Sequence, residues 1–334
     1  VSAEETKRRR LQPLGKGTVP AERKSPAAFA ESKPSEASSA AAPALPTRQL
    51  ITLLTDYGLR DIYAGVLRGV IMGIAPQATI VDLSHEVGPQ AVAEAAFLLD
   101  AAAPYFPWGT IHVSVVDPGV GTERRIICAR TARATYLAPD NGLLARVLER
   151  DPPAHLVSVE NPAHFLPKVS TTFHGRDIFA PVAAHLANGL DPRALGPEVR
   201  ELQPLPMPRP REVAPGVLSG AVIHIDRFGN IVTNVGEPFA HRVQGATLGA
   251  TRIEGPVCRA YGDRDEGEPL LIFGSAGFLE VSINGGDAAR TFSVRRGDPI
   301  AVELEPSARG SRTHHAPGGR RGVSGPASDG VAEP

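Results

Sequence analysis

Cysteine is nearly absent from this chain: Cys128 and Cys258 stand far apart, with no CxxC pair. That excludes a disulfide framework, and no Cys/His group has the spacing of a zinc site. Both cysteines read as small buried apolar residues. Aromatics are scarce at 5% of residues, so the core must be built from Ala, Val, Leu and Ile, which the 42% hydrophobic fraction permits. No apolar run approaches the about 20 residues needed to cross a bilayer. The first residues, VSAEETKRRRLQPLGKG, carry charge with no apolar stretch behind them and do not read as a secretory signal. The expectation is therefore a cytoplasmic protein with no membrane association and no structural metal.

A basic footprint for nucleic acid is missing too. Of the 35 Lys and Arg and 36 Asp and Glu, 22 and 29 lie in residues 49–305, so that region is acidic. An acidic body gives no surface for a polyanion and suits a cationic ligand.

What is present divides the chain into five stretches. Residues 1–48 and 306–334 are rich in Ala, Pro, Ser and Gly, lack apolar periodicity, and are expected to be disordered. Between them, residues 49–203 alternate strand and helix patterns. LITLLT, ATIVDLS, TIHVSVVDPG, IICAR and ATYLAPD read as strands. DIYAGVLRGVIMGIAP, QAVAEAAFLLDAAA, NGLLARVLER and FAPVAAHLANG read as helices. This predicts an α/β domain with a largely parallel sheet. Around Gln203 the texture changes: QPLPMPRPREVAPG holds five prolines and one glycine, and residues 204–216 are expected to be a stiff extended linker. Residues 217–305 then offer short strands (GVLSGAVIHI, IVTNV, ATRIEG, VCRAYG, LLIFG, FLEVSIN, PIAVEL) and no helix of useful length. They predict a smaller, all-β, barrel-like domain.

Four clusters carry polar residues where a strand ends or a tight turn begins, which is where α/β enzymes place reactive groups. Thr55-Asp56-Tyr57-Gly58 leaves the first strand, and Asp61 stands at the entry to the next helix as a cap or a ligand contact. Asp117-Pro118-Gly119-Val120-Gly121-Thr122 follows the third strand, with Arg124 seven residues beyond Asp117. It is not a phosphate loop: GK[ST] is missing and a strand follows. In Thr171-Thr172-Phe173-His174-Gly175, His174 stands at a loop-to-helix entry, while Arg176 and Asp177 read as a local ion pair or cap. Asp226-Arg227-Phe228-Gly229-Asn230 has the chemistry of a tight hairpin. It also offers an aromatic face and an amide, suited to a purine.

Taken in order, LLTDYGLRDIYAGVLRGVI, DLSHEV, VVDPGVGTERR, APDNGLL, TTFHGRDIFAPVAAHLANG, IDRFGNIVTN and GSAGFLEV resemble the SAM hydroxide adenosyltransferase family. These are S-adenosylmethionine (SAM) hydrolases related to fluorinases and chlorinases. The similarity spans roughly 50–304. The resemblance implies a water-handling set of Asp117, Arg124 and His174, and a ribose contact at Asp56. It implies that Asp61, Asp226 and Ser275 hold the methionine end, and that Phe228 and Asn230 read adenine, with Tyr261 packed on the ring. It further implies that SAM is the substrate with no separate cofactor, and that a homotrimer forms its active sites between subunits. Two departures stand out: Tyr57 where Phe is common, and Ala276 after Ser275 where a polar residue is common.

The implied reaction is attack of water or hydroxide at the ribose C5′, releasing adenosine and neutral methionine. A sulfonium leaves without a proton, so the chemical burden falls on the nucleophile. Two other readings remain open at this point: a halide-using relative, against which the Asp117 carboxylate argues by repelling an anion, and a SAM or adenosine sensor that does not turn over. Which residue is the base is not fixed by the sequence.

Overall fold

The computed structural model describes residues 48–205 and 209–305. The expected disorder of residues 1–48 and 306–334 falls, apart from Arg48, outside the described residues.

The α/β domain runs β1 (Leu50–Thr55), α1 (Tyr63–Ile74), β2 (Thr79–Ser84), α2 (Val92–Ala102), β3 (Thr110–Val115), β4 (Ile126–Thr131), β5 (Ala134–Pro139), α3 (Ala145–Arg150), β6 (Pro153–Ser158) and α4 (Ala180–Ala187). The strand order is β2-β1-β3-β5-β4-β6. The pairs β1/β2, β1/β3 and β3/β5 are parallel, while β4 runs antiparallel to β5 and β6. Every residue of β3 is buried, as expected for a central strand with helices on both faces. On α1, Ala64, Leu67 and Ile71 form the buried stripe.

Helix α2 breaks that pattern. It buries Glu94, Ala95, Ala96, Phe97, Leu99 and Asp100, on more than one face. The reason is tertiary: α2 also packs against β8 of the second domain. Buried Glu94 accepts hydrogen bonds from Gly88 N (2.9 Å) and His224 Nδ1 (2.7 Å) and pairs with Arg296. Phe97 meets Phe278 edge-on at 5.7 Å. A buried carboxylate tolerates this position because several donors meet it.

The second domain comprises β7 (Arg211–Ala214), β8 (Val217–Ile225), β9 (Ile231–Gly236), β10 (Val243–Leu248), β11 (Thr251–Glu254), β12 (Pro269–Phe273), β13 (Phe278–Ile283), α5 (Ala288–Thr291) and β14 (Pro299–Leu304). Its order is β11-β10-β14-β8-β9-β13-β12, with β7 added on β8 and every strand pairing antiparallel. The terminal strands β11 and β12 lie in contact, which makes the sheet a nearly closed barrel around Leu218, Val235, Leu279, Val281 and Val302.

Three local expectations change. The stretch 204–216 is not all extended linker: REVA within it is strand β7, paired with β8. VCRAYG is not a strand; Cys258 makes one isolated bridge with Ile272, and Tyr261–Asp263 form a helical turn. Two strands have no counterpart in the sequence reading. PAHLVS is β6, behind a Pro, and VQGATL is β10, where Gln244 and Gly245 weaken the alternation. Both are held by neighbours already in place, not by local propensity. Burial pushes the Cys128 thiol up to about 12, so it behaves as an inert core residue.

Candidate active site

Strands β1 and β3 are adjacent and parallel, with Thr55 opposite Val115. The chain leaves them in different directions, to β2 on one side of β1 and beyond β3 on the other. Such a switch point opens a crevice at the strands' carboxyl ends, and Asp56 and Asp117 stand just past those ends.

Asp117 and Arg124 are bound tightly. Arg124 Nε lies 2.9 Å from both carboxylate oxygens, and its Nη2 donates to Oδ2 as well. Both side chains are largely buried, so the pair is little screened. The same Nη2 meets His174 Nδ1 at 2.8 Å. A guanidinium has no acceptor, so His174 Nδ1 must carry a lone pair, and the neutral ring keeps its proton on Nε2. Burial, and then the Arg124 charge, hold the His174 pKa below its usual value, partly offset by Asp117 and Asp177. The three residues predicted to handle water are therefore one connected cluster.

The loops that carry them need their glycines. Gly121 has φ +77°, and a Cβ there would meet Thr171 O at 2.2 Å, so the Asp117 loop and the His174 loop pack backbone to backbone. His174 opens a π-helical turn, Gly175–Phe179, ahead of α4. Asp177 anchors that turn: it pairs with Arg176 and accepts from Ser170 N at 2.8 Å. Asn141, from APDNGLL, donates to Val116 O at 2.9 Å and so braces the exit of β3.

Asp56 accepts from Gln90 N at 2.9 Å. Asp61 is exposed and does not cap α1, whose N-cap is Ile62 with no side-chain bond. The capping alternative for Asp61 is thus removed.

The remaining predicted residues lie on the barrel. Between β8 and β9, Asp226 Oδ1 accepts from Phe228 N and Asn230 N, each at 2.9 Å, and Oδ2 accepts from Asn230 Nδ2 at 2.8 Å. Gly229 takes φ +83° in this turn. Phe228 is consequently pushed outward, 73% exposed. One N–H of the Asn230 amide is spent on Asp226, which fixes the amide's orientation and leaves its second N–H and its carbonyl oxygen for a ligand. Tyr261 donates to Glu280 Oε2 at 3.1 Å, and burial followed by the Asp226 charge raises the Glu280 pKa. Asp226, Phe228, Asn230, Tyr261, Ile283 and Asp287 line a cavity of about 750 Å³. Ser275 is exposed in the β12–β13 turn, while Ala276 packs with Phe97, Ile223 and Val232. An apolar residue at 276 thus serves the contact between the domains.

The structure therefore sorts the predicted residues into two groups. Asp56, Asp117, Arg124 and His174 cluster on the α/β domain; Asp226, Phe228, Asn230 and Tyr261 cluster on the barrel. Among the described residues, no hydrogen bond, ion pair or ring contact joins one group to the other. Nor is any group of three or more His, Cys, Asp or Glu side chains placed there to hold a metal ion.

A parallel-sheet domain with an Asp-Arg-His cluster at its switch point, followed by a barrel bearing an aromatic turn, defines a two-domain architecture built to act on a small molecule. Sequence profiles identify which one: the SAM hydroxide adenosyltransferase N-terminal domain matches residues 51–196, and the C-terminal domain of the same family matches 220–301. The chain belongs to this family. It is 40% identical over 261 residues to an (R)-S-adenosyl-L-methionine hydrolase of Thermus thermophilus, covering 75% of this chain and 98% of that one. A Salinispora tropica protein of the same name is 37% identical over 75% of this chain and 97% of its own length. A fluorinase of Actinoplanes sp. is more distant, at 26% identity over 76% and 97%. Among solved structures, an uncharacterized conserved protein of Thermotoga maritima superposes with a TM-score of 0.70 at 40% identity, covering 75% of this chain and 99% of that one.

Proposed function

We propose that this protein hydrolyses S-adenosyl-L-methionine to adenosine and L-methionine. The observation that carries the reading is the Asp117–Arg124–His174 cluster, three groups suited to a water nucleophile, in a chain whose relatives at 37–40% identity are named for that hydrolysis. A lone pair of water forms the O–C5′ bond, and the C5′–S bond breaks with its electrons going to sulfur. The sulfonium becomes a neutral thioether, and the water proton passes to Asp117. Asp117 is the better base because the His174 Nδ1 lone pair already faces Arg124. His174 Nε2–H and the guanidinium steady the oxygen. Each such contribution is worth about 10²–10⁴ in rate, and alignment of the two reactants adds to it.

Asp56 is assigned to the ribose hydroxyls, Asp61, Asp226 and Ser275 to the methionine end, and Phe228, Asn230 and Tyr261 to adenine. The site is assigned to the interface of a homotrimer, the α/β domain of one subunit facing the barrel of the next. The barrel cavity is lined by barrel residues alone, so a second surface is needed to close it over a ligand. A cytoplasmic location fits the two free thiols. No described helix is long and apolar enough to cross a membrane.

The test is turnover of SAM in ¹⁸O-labelled water with products resolved by mass. One label in adenosine and none in methionine supports C5′ attack. Intact SAM would favour a sensor, and a halide-dependent halogenated nucleoside would favour the fluorinase-like reading.

A further inference from the structure

Tyr57 lies in the turn after β1, next to Asp56. Its ring packs in an aromatic group, 5.8 Å from Phe173 and 6.0 Å from Tyr63. Packing alone would be served by phenylalanine. The hydroxyl is the part that needs a reason.

That hydroxyl lies against the residue that follows His174. It occupies the space where a Cβ of Gly175 would sit, 2.3 Å from that position, and Gly175 directly follows His174. Any larger residue at 175 would displace it. The oxygen is within electrostatic reach of Asp56, Asp117 and Arg124. No described protein group hydrogen-bonds it, although the Tyr57 backbone N–H is engaged with Thr55 Oγ1 at 3.2 Å. The half-buried side chain packs against the core of the α/β domain, and its hydroxyl lies at Gly175, beside His174. A largely buried polar group lacking a protein partner is costly unless water or a ligand supplies one.

We infer that Tyr57 is a further catalytic residue: its hydroxyl holds the attacking water, together with Asp117. This rests on the hydrolase reading above. The chemistry fits a water anchor and not a second base. Burial, with Asp56 and Asp117 adding to it, keeps the phenol protonated far above neutral pH. The hydroxyl therefore accepts one water hydrogen through its lone pair, or donates to the water oxygen, without itself taking the proton. With one water hydrogen directed to Asp117 and the other to Tyr57, a lone pair is left pointing at C5′. Holding the nucleophile in this way lowers the entropic part of the barrier to attack at C5′ without tightening the grip on SAM.

The test is Tyr57→Phe in the full-length protein, which keeps the ring and removes only the oxygen. kcat should fall about tenfold or more. The dissociation constants for SAM and adenosine should stay within twofold, and Tm should be unchanged. A kcat within twofold of wild type overturns the assignment. So does a parallel weakening of SAM and adenosine binding at unchanged kcat, because the hydroxyl would then be a ribose contact. Tyr57→Leu separates ring from hydroxyl: it should lose stability as well as rate, whereas the Phe variant should lose rate alone. Wild-type turnover of SAM is measured alongside. If the wild type does not turn over, the hydrolase reading itself fails; if it does and Tyr57→Phe matches it, only the role of Tyr57 fails.

Discussion

The two halves of the candidate site are built on opposite plans. On the α/β domain, Asp117, Arg124 and His174 are already joined, largely enclosed and fixed by backbone packing at Gly121. On the barrel, Phe228 stands in solvent and the cavity has a single wall. The first half is held in place by its own bonds, as a reacting group must be where misplacement by an ångström is costly. The second presents an exposed aromatic whose apolar surface is worth little until something covers it. The comparison teaches that a joined polar cluster and an exposed aromatic turn lie in different domains, and mutations should separate what each contributes.

The largest effect should come from the closed half. Asp117→Asn keeps the size and removes the carboxylate. It should lower kcat by at least ~10² while the SAM dissociation constant changes little. His174→Ala should behave alike, and the double variant should lose less than the product of the two, since the groups act through one guanidinium. Steady-state kinetics with SAM titration on each variant decides this. Near-normal turnover by well-folded Asp117→Asn would break the comparison at its root.

Next comes the open half. Phe228→Ala should weaken SAM and adenosine binding together by about tenfold, in keeping with ~1–3 kcal/mol for an aromatic–base stack. Stability should move by less than ~0.5 kcal/mol because the ring is exposed. A large fall in Tm with intact affinity would make Phe228 a structural residue.

A smaller effect separates charge from shape within that turn. Asp226 accepts two backbone N–H groups, so Asp226→Ala would loosen the loop that presents Phe228. Asp226→Asn keeps an acceptor oxygen and removes the charge. It should weaken binding of cationic SAM several-fold and leave neutral adenosine nearly untouched. Equal losses for both ligands, read by calorimetry, would end the assignment of Asp226 to the methionine end.

Acid should distinguish the halves more gently. His174 has a lowered pKa, so it stays neutral as the pH falls through 6.5 and is protonated only below that. Protonation would place a hydrogen on Nδ1, facing Arg124. The acid limb of kcat should therefore lie below pH 6.5 and report the closed half. An acid limb centred above 6.5 would contradict the sign of the shift. Last and smallest, removing 1–48 and 306–334 should leave turnover unchanged, since the Thermus thermophilus relative is covered to 98% of its length by 75% of this chain.

Much of this was legible in the residues. The strand–helix alternation gave the parallel-sheet domain because period-2 and period-3.6 patterns are local properties. The change of texture after Gln203 marked the second domain for the same reason. Asp117, Arg124 and His174 were recognisable by their positions at loop starts and by the family resemblance. Strands β6 and β10 were not, since their alternation is weak and their partners are distant in sequence. Tyr57 looked like a neutral exchange for Phe because the surroundings of its hydroxyl are set by Gly175, far along the chain.

By itself, then, the sequence determined the two domain classes and the placement of polar clusters at strand ends. These follow from composition and short-range periodicity. Only the tertiary structure decided that Asp117 and His174 share the Arg124 guanidinium, that Asn230 donates one N–H to Asp226, that Ala276 serves the contact between domains, and that the Tyr57 hydroxyl lies at Gly175 beside His174. Each of these is a contact between residues brought together by folding, and hydrogen bonds act over about 3 Å whatever the separation along the chain.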